Sequence, residues 1–496
     1  MEYSITVKKE DNFGEWYKQI VTKTDYITYY DVKGCYTLLP PSYKIWTNIQ
    51  DILNKEFDKR GVENCYFPLF VTEKNLKKEE SHLEGFKAEV AWIEKKDNKS
   101  DEDTLDNESK NDDRIAIRPT SECIIYPIVA SLIKSYRDLP KRYNQWCNVV
   151  RWEFKDTVPF IRSREFLWTE CHDIFDGADE AKNKVLDSIR LYKDTYEKYL
   201  AVPVIKGLKT KKETFAGAEF TWTIEAYIPT IGKGIQCATS HYLGQNFSKM
   251  FDISFMNKKM EKEYAYQNSW GFTTRSIGIM IQMHSDNKGL VIPPRIAPIQ
   301  IVIVPITKKN NENIVFEYVD KLKDYFDKTN YRIHIDKRNE NCGWKYNYWE
   351  LRGIPIRIEV GMRDKENGTL CLVRRDTLKK INIKFDDLDK ELEKLMENIQ
   401  QSLFDNAKNK LLDNIECVTD INNLKYSSTK LYLVPLCDAE KCEEYFKEKF
   451  NIKSLCKPCD DTYEIKELTS LKCTFDCIVC KEKSDKINWC LFGKSY

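Results

Sequence analysis

The sequence predicts a multidomain α/β protein, and three observations carry that prediction. First, 496 residues exceed what one hydrophobic core organises and leave room for roughly two to four domains. Second, the hydrophobic pattern changes near Ala297: β-prone stretches joined by turn chemistry give way to strand, helix, strand, helix, strand. Third, cysteines crowd the region beyond Leu403. These divide the chain into an antiparallel-sheet domain over 1–296, a small mixed-sheet α/β domain over 297–402 and a cysteine-rich α+β domain over 403–496.

Bulk properties exclude several classes. The net charge is +1 with 32% charged residues, so the surface is heavily but evenly charged. That argues against an indiscriminate nucleic-acid coat and leaves RNA binding to local basic patches. No apolar run approaches the ~18 residues of a membrane span. The start, MEYSITVKKEDNFGEWYKQ, carries acids early and lacks an apolar core, which predicts neither signal nor transit peptide and leaves little room for an added domain. Seventeen cysteines without a secretory signal predict free thiols and a metal site, not a disulfide framework. The cytoplasm is the expected location.

In the first domain, Ser42 to Arg60 places Ile45, Ile49, Ile52, Leu53 and Phe57 at helical spacing. GVENCYFPLF follows as a strand, with Pro68 at a position where no ladder donor is required. Residues 94–113 are acidic and lack apolar period, which predicts a solvated insertion. RWEF and FIRSREFLW, around the KDTVP break at 155–159, predict a hairpin that brings Arg151 and Arg162 to one end of a sheet. Glu153 alternates in step with Arg151, and Glu165 follows Arg164. Arginine forks among carboxylates suit a polyphosphate, although a surface hairpin with ordinary ion pairs would carry the same residues. Asp179 to Leu200 reads as an amphipathic helix. Asn268 to Pro298 reads as a strand, a Thr-rich step at Arg275 and an apolar helix ending near His284, closed by Pro293-Pro294.

In the second domain IQIVIVPI is a buried parallel strand and Asn311 to Thr329 a helix. YRIHID is a strand, GWKYNYWELRGIP helical, and IRIEVG and LCLVRR are further strands. Arg332, Lys337, Arg338, Lys345, Arg352, Arg357, Arg363, Arg374 and Arg375 lie there beside Trp344, Tyr346, Tyr348 and Trp349. Cations with aromatics suit unstacked bases of a single strand, while Trp344 and Trp349 read equally well as core anchors. In the third domain the Cys437/Cys442 and Cys477/Cys480 pairs have spacings that let two thiolates share one tetrahedral ion. A small domain rich in Lys and Glu is marginal without such a staple. Cys456, Cys459 and Cys473 lie nearby, so the ligand set stays open, as does a scatter of reduced thiols.

Three of these features occur in the order of the signature motifs of class II aminoacyl-tRNA synthetases, and the chain resembles that family. The Ser42–Arg60 helix with its strand and Pro68 resembles the first motif, the arginine hairpin the second, and Arg275-x-x-Gly278 with its helix the third. Within the class the chain resembles the prolyl-tRNA synthetases of eukaryotic and archaeal type, from about Val21 to Tyr496. Arg118-Pro119-Thr120-Ser121-Glu122 is similar to their proline-recognition loop. Thr214-Phe215-Ala216-Gly217, Ile235-Gln236 and the run TSHYLGQNFSK ending at Lys249 are similar to their pocket-lining segments.

The resemblance implies a class II antiparallel-sheet catalytic domain, an anticodon-binding domain and a C-terminal zinc-type domain in a homodimer without a membrane anchor. It implies activation of L-proline by ATP with Mg2+ and transfer of the prolyl group to tRNA(Pro). Arg151, Arg162 and Arg275 would be catalytic. The ATP set adds Glu153, at the adenine or an amide beside it, and Ser163, Gln236, Thr239 and Thr273. For proline, Thr120 and Glu122 would accept from the ammonium, with Arg151 at the carboxylate. Phe166, Trp168, Glu170, His172, Phe215, Ser240 and His241 would shape the pocket, His172 as a structural group rather than an acid-base catalyst. Structural zinc falls to Cys437, Cys442, Cys477 and Cys480, although in relatives the second pair is spaced C-x-C. Arg162 and Arg275 stand too close for the editing domain that bacterial relatives insert there, so no cis editing is expected. The terminal tyrosine would fold back toward the catalytic domain. A threonyl- or glycyl-specific sibling and a non-catalytic, nucleic-acid-binding paralogue are the competing readings. The TSE loop opposes the first and the three arginines oppose the second.

Overall fold

A computed structural model describes residues 4–80, 90–94, 114–152, 156–308, 310–459, 473, 475–483 and 487–496. Its spine is an eleven-stranded sheet. The antiparallel centre runs Ile205–Leu208, Phe220–Ile228, Lys233–Gly244, Tyr266–Thr273, Glu165–Phe175, Lys141–Val150, and Glu63–Asn64 adds a parallel edge. Two helices cover one face. Pro40–Lys59 starts on prolines, whose fixed φ suits a first turn, and buries Ile45, Ile49, Leu53 and Phe57. Its Trp46 and Phe57 meet Trp146 and Trp270 edge-on, at 5.5 Å each. Ala178–Asp194 lies on the same face and brings Tyr192 to 5.5 Å from Trp270. The opposite face holds the site described below.

Two strand expectations need correction. GVENCYFPLF is not one strand: only Glu63–Asn64 and Phe70–Thr72 pair, and they belong to different sheets. Pro68 sits in irregular backbone between them, where its carbonyl accepts from Arg118. The arginine hairpin exists, but its strands are Lys141–Val150 and Glu165–Phe175, with Val150 opposite Glu165. Arg151 and Arg162 therefore lie on the connection and not in the ladder. Pro159 and the left-handed φ of +64° at Phe160 break any continued strand there. Glu153 lies outside the described residues, as does the acidic insertion apart from Glu94.

The second unit forms a five-stranded mixed sheet in the order Ile333–Ile335, Ile301–Pro305, Ile356–Val360, Thr369–Arg374, Lys380–Lys384. The first three strands are parallel and the last two antiparallel. It is sewn to the first unit just past the Arg275–His284 helix. Leu290 N–H donates to the Leu351 carbonyl at 2.9 Å, and Arg375 holds Asp286 through two bonds of 2.9 and 2.7 Å.

The cysteine-rich region continues the main sheet. Lys457 pairs with Leu208 antiparallel, and Lys494 with Lys233 parallel. The region also buries Tyr432, Val434, Leu436, Phe446 and Phe492, a fuller apolar core than its Lys- and Glu-rich composition suggested. Among the described residues no helix is long and apolar enough to cross a membrane.

Candidate active site

A cavity of ≈ 320 Å³ opens on the opposite face of the antiparallel sheet, with an acidic end and an arginine end. The acidic end is built on Arg118, which is 1% exposed. Its guanidinium donates to the carbonyls of Phe67, Pro68 and Asn148 at 2.8, 3.0 and 3.1 Å, locking the loop that follows. That loop brings Thr120 and Glu122 to the cavity wall at the start of the Glu122–Leu132 helix. Ser121 N–H donates to the Glu170 carboxylate at 3.0 Å, and the Gln145 amide donates to Ser121 Oγ at 2.7 Å.

Glu170 comes from the Glu165–Phe175 strand, and His172, two residues on, shares its face. His172 Nε2 lies 3.0 Å from Glu170, and its Nδ1 2.9 Å from the Tyr126 hydroxyl. Two buried carboxylates thus meet one buried imidazole. Burial, with Glu170 adding repulsion, pushes the Glu122 pKa up. Burial also opposes charge on Glu170, but bonds from His172 and Ser121 outweigh it and hold this carboxyl below the usual range. Burial alone would discharge His172, yet Glu170 raises its pKa above the ordinary histidine value.

Aromatic groups wall this end. Phe166 and Trp168 stand edge-to-face at 5.9 Å, and Arg151 lies 5.4 and 5.6 Å from their ring centres. Opposite, Phe215 packs 4.6 Å from His241. His241 bridges Thr221 at 2.9 Å and Thr239 at 3.0 Å, and burial pushes its pKa down to about 3, so it is neutral.

At the arginine end Arg151 Nε donates to the Pro119 carbonyl at 3.1 Å. Arg275, first residue of its helix, donates from Nε to Ile161 and from Nη1 to Gln236, both at 3.0 Å. Arg162, Ser163 and Thr273 complete the wall. Gln236 and Thr239, three apart, belong on opposite faces of a regular strand. A bulge between Gln236 and Ala238 shifts the register and puts both on the cavity.

The cavity thus collects fourteen of the predicted residues: Thr120, Glu122, Arg151, Arg162, Ser163, Phe166, Trp168, Glu170, Phe215, Gln236, Thr239, His241, Thr273 and Arg275. His172 does not line it but stands behind Glu170, 1% exposed. Ser240 turns to the other face of the sheet, as alternation beside Thr239 and His241 requires. Reading the sequence missed Lys209, Glu213, Thr221, Ser269 and Gly271. Gly271 had a signal, since a glycine inside a strand marks close approach. A Cβ there would stand 3.3 Å from the Thr169 carbonyl and 3.5 Å from the Trp168 ring. Lys209 had none: its place depends on Glu225, at 2.8 Å, and on the Leu455 carbonyl of the cysteine-rich region, at 2.9 Å.

Two further sites stand apart. Cys437, Cys442, Cys477 and Cys480 bring their sulfurs within 4.8 Å of one another. The Cys437–Cys480 separation of 3.8 Å matches the ~3.8 Å edge of a thiolate tetrahedron around zinc. Burial at Cys477 is outweighed by backbone N–H groups, which bring its pKa down to about 7, whereas burial pushes Cys437 and Cys442 up; it is the convergence of four sulfurs that fits a thiophilic cation. On the second unit Trp344 stacks on Tyr348 at 5.0 Å, with Arg338 and Arg352 4.0 and 3.5 Å from the Tyr348 ring centre. Trp349 is a core anchor, its indole N–H donating to Asp336 at 2.8 Å.

Comparison with known proteins matches this architecture segment by segment. Residues 104–284 match the class II tRNA synthetase core domain (G, H, P, S and T), 300–395 an anticodon binding domain, and 424–496 the prolyl-tRNA synthetase C-terminal domain. The chain is 44% identical to the cytoplasmic proline–tRNA ligase of Arabidopsis thaliana, over 99% of its own length and 91% of the relative's. It is 43% identical to the bifunctional glutamate/proline–tRNA ligase of Mus musculus, of which it spans 33%. A crystal structure of prolyl-tRNA synthetase from Cryptosporidium parvum, complexed with halofuginone and AMPPNP, is similar with a TM-score of 0.90 and 42% identity, covering 100% of this chain and 98% of that one. A second structure of the enzyme from that organism, complexed with L-proline and AMP, is similar with a TM-score of 0.88 and 40% identity, over the same shares of the two chains. The three matched segments and the full-length likeness have one reading: the chain belongs to the prolyl-tRNA synthetases.

Proposed function

We propose that the chain activates L-proline with ATP, releasing pyrophosphate, and passes the prolyl group to the 3′ end of tRNA(Pro). The observation that carries this reading is one cavity whose acidic, aromatic end adjoins an end lined by Arg151, Arg162 and Arg275. It suits the ammonium and ring of a small zwitterionic amino acid whose carboxylate is placed against a polyphosphate.

In the first step a carboxylate oxygen of proline bonds to the α-phosphorus as the bond to pyrophosphate breaks. The protein needs no covalent nucleophile; it aligns the partners and stabilises the charge that builds between them. Arg151, standing between the two ends, would hold the carboxylate and the α-phosphate. Arg162 and Arg275 would take the β and γ end, with Ser163, Gln236, Thr239 and Thr273 on the nucleotide and Glu153 at the adenine or an amide beside it. Thr120 and Glu122 would accept from the secondary ammonium, while Phe166, Trp168 and Phe215 close on the ring. Glu170, His172, Ser240 and His241 support these walls. Magnesium keeps most of its waters and would sit mainly on the phosphates. The acid paired with Gln236 across the strands is Glu225, and Lys209 already neutralises it.

The stacked Trp344, Tyr348, Arg338 and Arg352 suit unstacked anticodon bases. Zinc in the four-cysteine site would cross-link the Leu431–Leu436 end, the Glu440–Phe450 helix and the Cys477–Cys480 turn. Tyr66 and Phe70, 75% and 55% exposed at the first motif, support a homodimer seam. The cytoplasmic name of the Arabidopsis relative supports that location. The stretch from Arg162 to Arg275 is taken up by the strands and helices of the core, which supports the absence of a cis editing domain.

The test is ATP–pyrophosphate exchange with each amino acid in turn, without tRNA. Exchange with proline should far exceed the others, with slight leakage for alanine, because a missing methylene in a ring slot is worth only ~1–3 kcal/mol. No proline-dependent exchange from a folded protein that binds ATP would overturn the reading.

A further inference from the structure

Arg162 lies on a connection outside the sheet ladder, so the ladder does not orient it. Its local tie is a small bridge with Val158, at 2.9 and 2.8 Å, which closes the turn but does not fix it to the rest of the molecule. Arg275 Nε holds the turn at the Ile161 carbonyl, at 3.0 Å, and further anchors come from the N-terminal segment. The Tyr36 hydroxyl oxygen accepts from Phe160 N–H at 2.7 Å and from Ser163 Oγ at 3.2 Å, so one phenol ties down both flanks of Arg162. Tyr17 O–H donates to the Pro159 carbonyl at 2.9 Å. The Gly34 carbonyl, two residues before Tyr36, accepts from Arg164 N–H at 2.9 Å.

Neither tyrosine belongs to a segment that carries a phosphate arginine. Tyr17 is in the Phe13–Lys23 helix and Tyr36 opens the Tyr36–Leu38 strand. Both phenols stay protonated: burial pushes Tyr36 up to about 12 and holds Tyr17 well above the ordinary phenol value. Phe160, at φ +64°, is held in a backbone region that phenylalanine rarely adopts, so these bonds hold a conformation the turn does not choose by itself. The Tyr36 ring also packs edge-on against Phe160 at 5.4 Å, so the hydroxyl can be removed while the packing stays.

We infer that Tyr36, with Tyr17 beside it, is a positioning residue for the nucleotide: its hydroxyl fixes the Pro159–Ser163 turn so that Arg162 meets the triphosphate. The inference rests on the phosphate role proposed above for Arg162. It predicts a defect on the ATP side alone, because the acidic end is held by Arg118, Gln145 and Tyr126, whose hydrogen bonds run to Phe67, Pro68, Asn148, Ser121 and His172.

The experiment uses the whole chain with Tyr36→Phe and, separately, Tyr17→Phe. A non-hydrolysable ATP analogue and L-proline are titrated calorimetrically, and melting temperature is recorded. Tyr36→Phe should weaken the analogue about tenfold, the ordinary range for one lost hydrogen-bonding group, and leave proline within about twofold. Tyr17→Phe should follow the same pattern more weakly. On an Arg162→Ala background Tyr36→Phe should cost clearly less than on wild type, since the chief group it positions is gone and only its bond to Ser163 is left to lose. Equal weakening of proline and analogue, additivity with Arg162→Ala, or unchanged analogue affinity would each overturn the inference. Wild-type exchange with proline tests the parent reading separately: if it fails, Arg162 has no phosphate role and both fall; if it succeeds while Tyr36→Phe is silent, only this inference falls.

Discussion

At the acidic end, Glu122 and Glu170 differ in what holds them. Glu170 is fixed as a carboxylate by His172 and Ser121, whereas burial and the neighbouring Glu170 resist ionisation of Glu122. A proline ammonium beside Thr120 would supply the cation Glu122 lacks, so binding should release a proton wherever Glu122 is still protonated. The sign follows from the raised pKa. Unfolded or exposed, this group ionises near ~4.3; in the empty pocket it ionises later; filled, it ionises earlier. The KM for proline should therefore rise as pH falls through the raised value, and proline binding measured in two buffers should show proton release in that window. Glu122→Gln should weaken proline and abolish the proton release. Unchanged proton release in that variant would assign the titration to another group. For stability the two neighbours pull in opposite directions. The raised His172 contributes below its unfolded value of ~6.5, and that contribution is lost as pH rises through its folded value. The depressed Glu170 contributes above its unfolded value and is lost as pH falls through its folded one.

The helix that begins at Arg275 shows how an element serves the site. Gly278 lies inside it, where alanine would gain ~1 kcal/mol of helix propensity. A Cβ there would stand 2.7 Å from Phe160 Cβ and 2.8 Å from Ile161 Cδ1, in the turn that carries Arg162. Overpacking of this kind costs ~1–3 kcal/mol and outweighs the propensity. Gly278→Ala should lower the melting temperature and raise the KM for ATP more than that for proline; a more stable protein with normal kinetics would show that the turn yields freely. The Arg-x-x-Gly step was legible because its spacing is local. The strand bounds around it were less so. RWEF has β-prone composition, but the ladder ends at Val150, and what ends it is the path of 156–164 over Tyr17, Tyr36 and Gly34, contacts more than a hundred residues away in sequence. Gln236 and Thr239 reached the cavity together through a bulge that alternation cannot announce, and the same alternation turned Ser240 away.

Across the whole molecule, the order of three units was readable from the change in hydrophobic period at Ala297 and the cysteine spacing, but their joints were not. The cysteine-rich strands extend the main sheet, and the seam between the first and second units falls at Asp286, just beyond the helix that carries Arg275. There Arg375, only 3% exposed, binds both oxygens of Asp286 and donates to the Glu350 carbonyl at 2.7 Å. Asp286 is also held by Lys288 and Gly289 N–H groups, and its carbonyl accepts from Trp16. Arg375→Ala would remove the bond to the Glu350 carbonyl and the two charge-assisted bonds to Asp286, the latter ~1.5–3 kcal/mol each at most. The loss is discounted because the Asp286 side chain is 43% exposed and takes up water, leaving about 2 kcal/mol. The backbone bonds from Leu290 to Leu351 and from Ile292 to Gly353 would remain, so the second unit should stay attached but loosely. Proline-dependent exchange should then stay within about twofold of wild type, while charging of tRNA(Pro), which needs anticodon unit and active site in fixed relation, falls further. Urea unfolding of the variant should separate into two transitions where the parent shows fewer. A single transition at the parent midpoint, with charging intact, would mean that the backbone seam alone sets the relation of the two units.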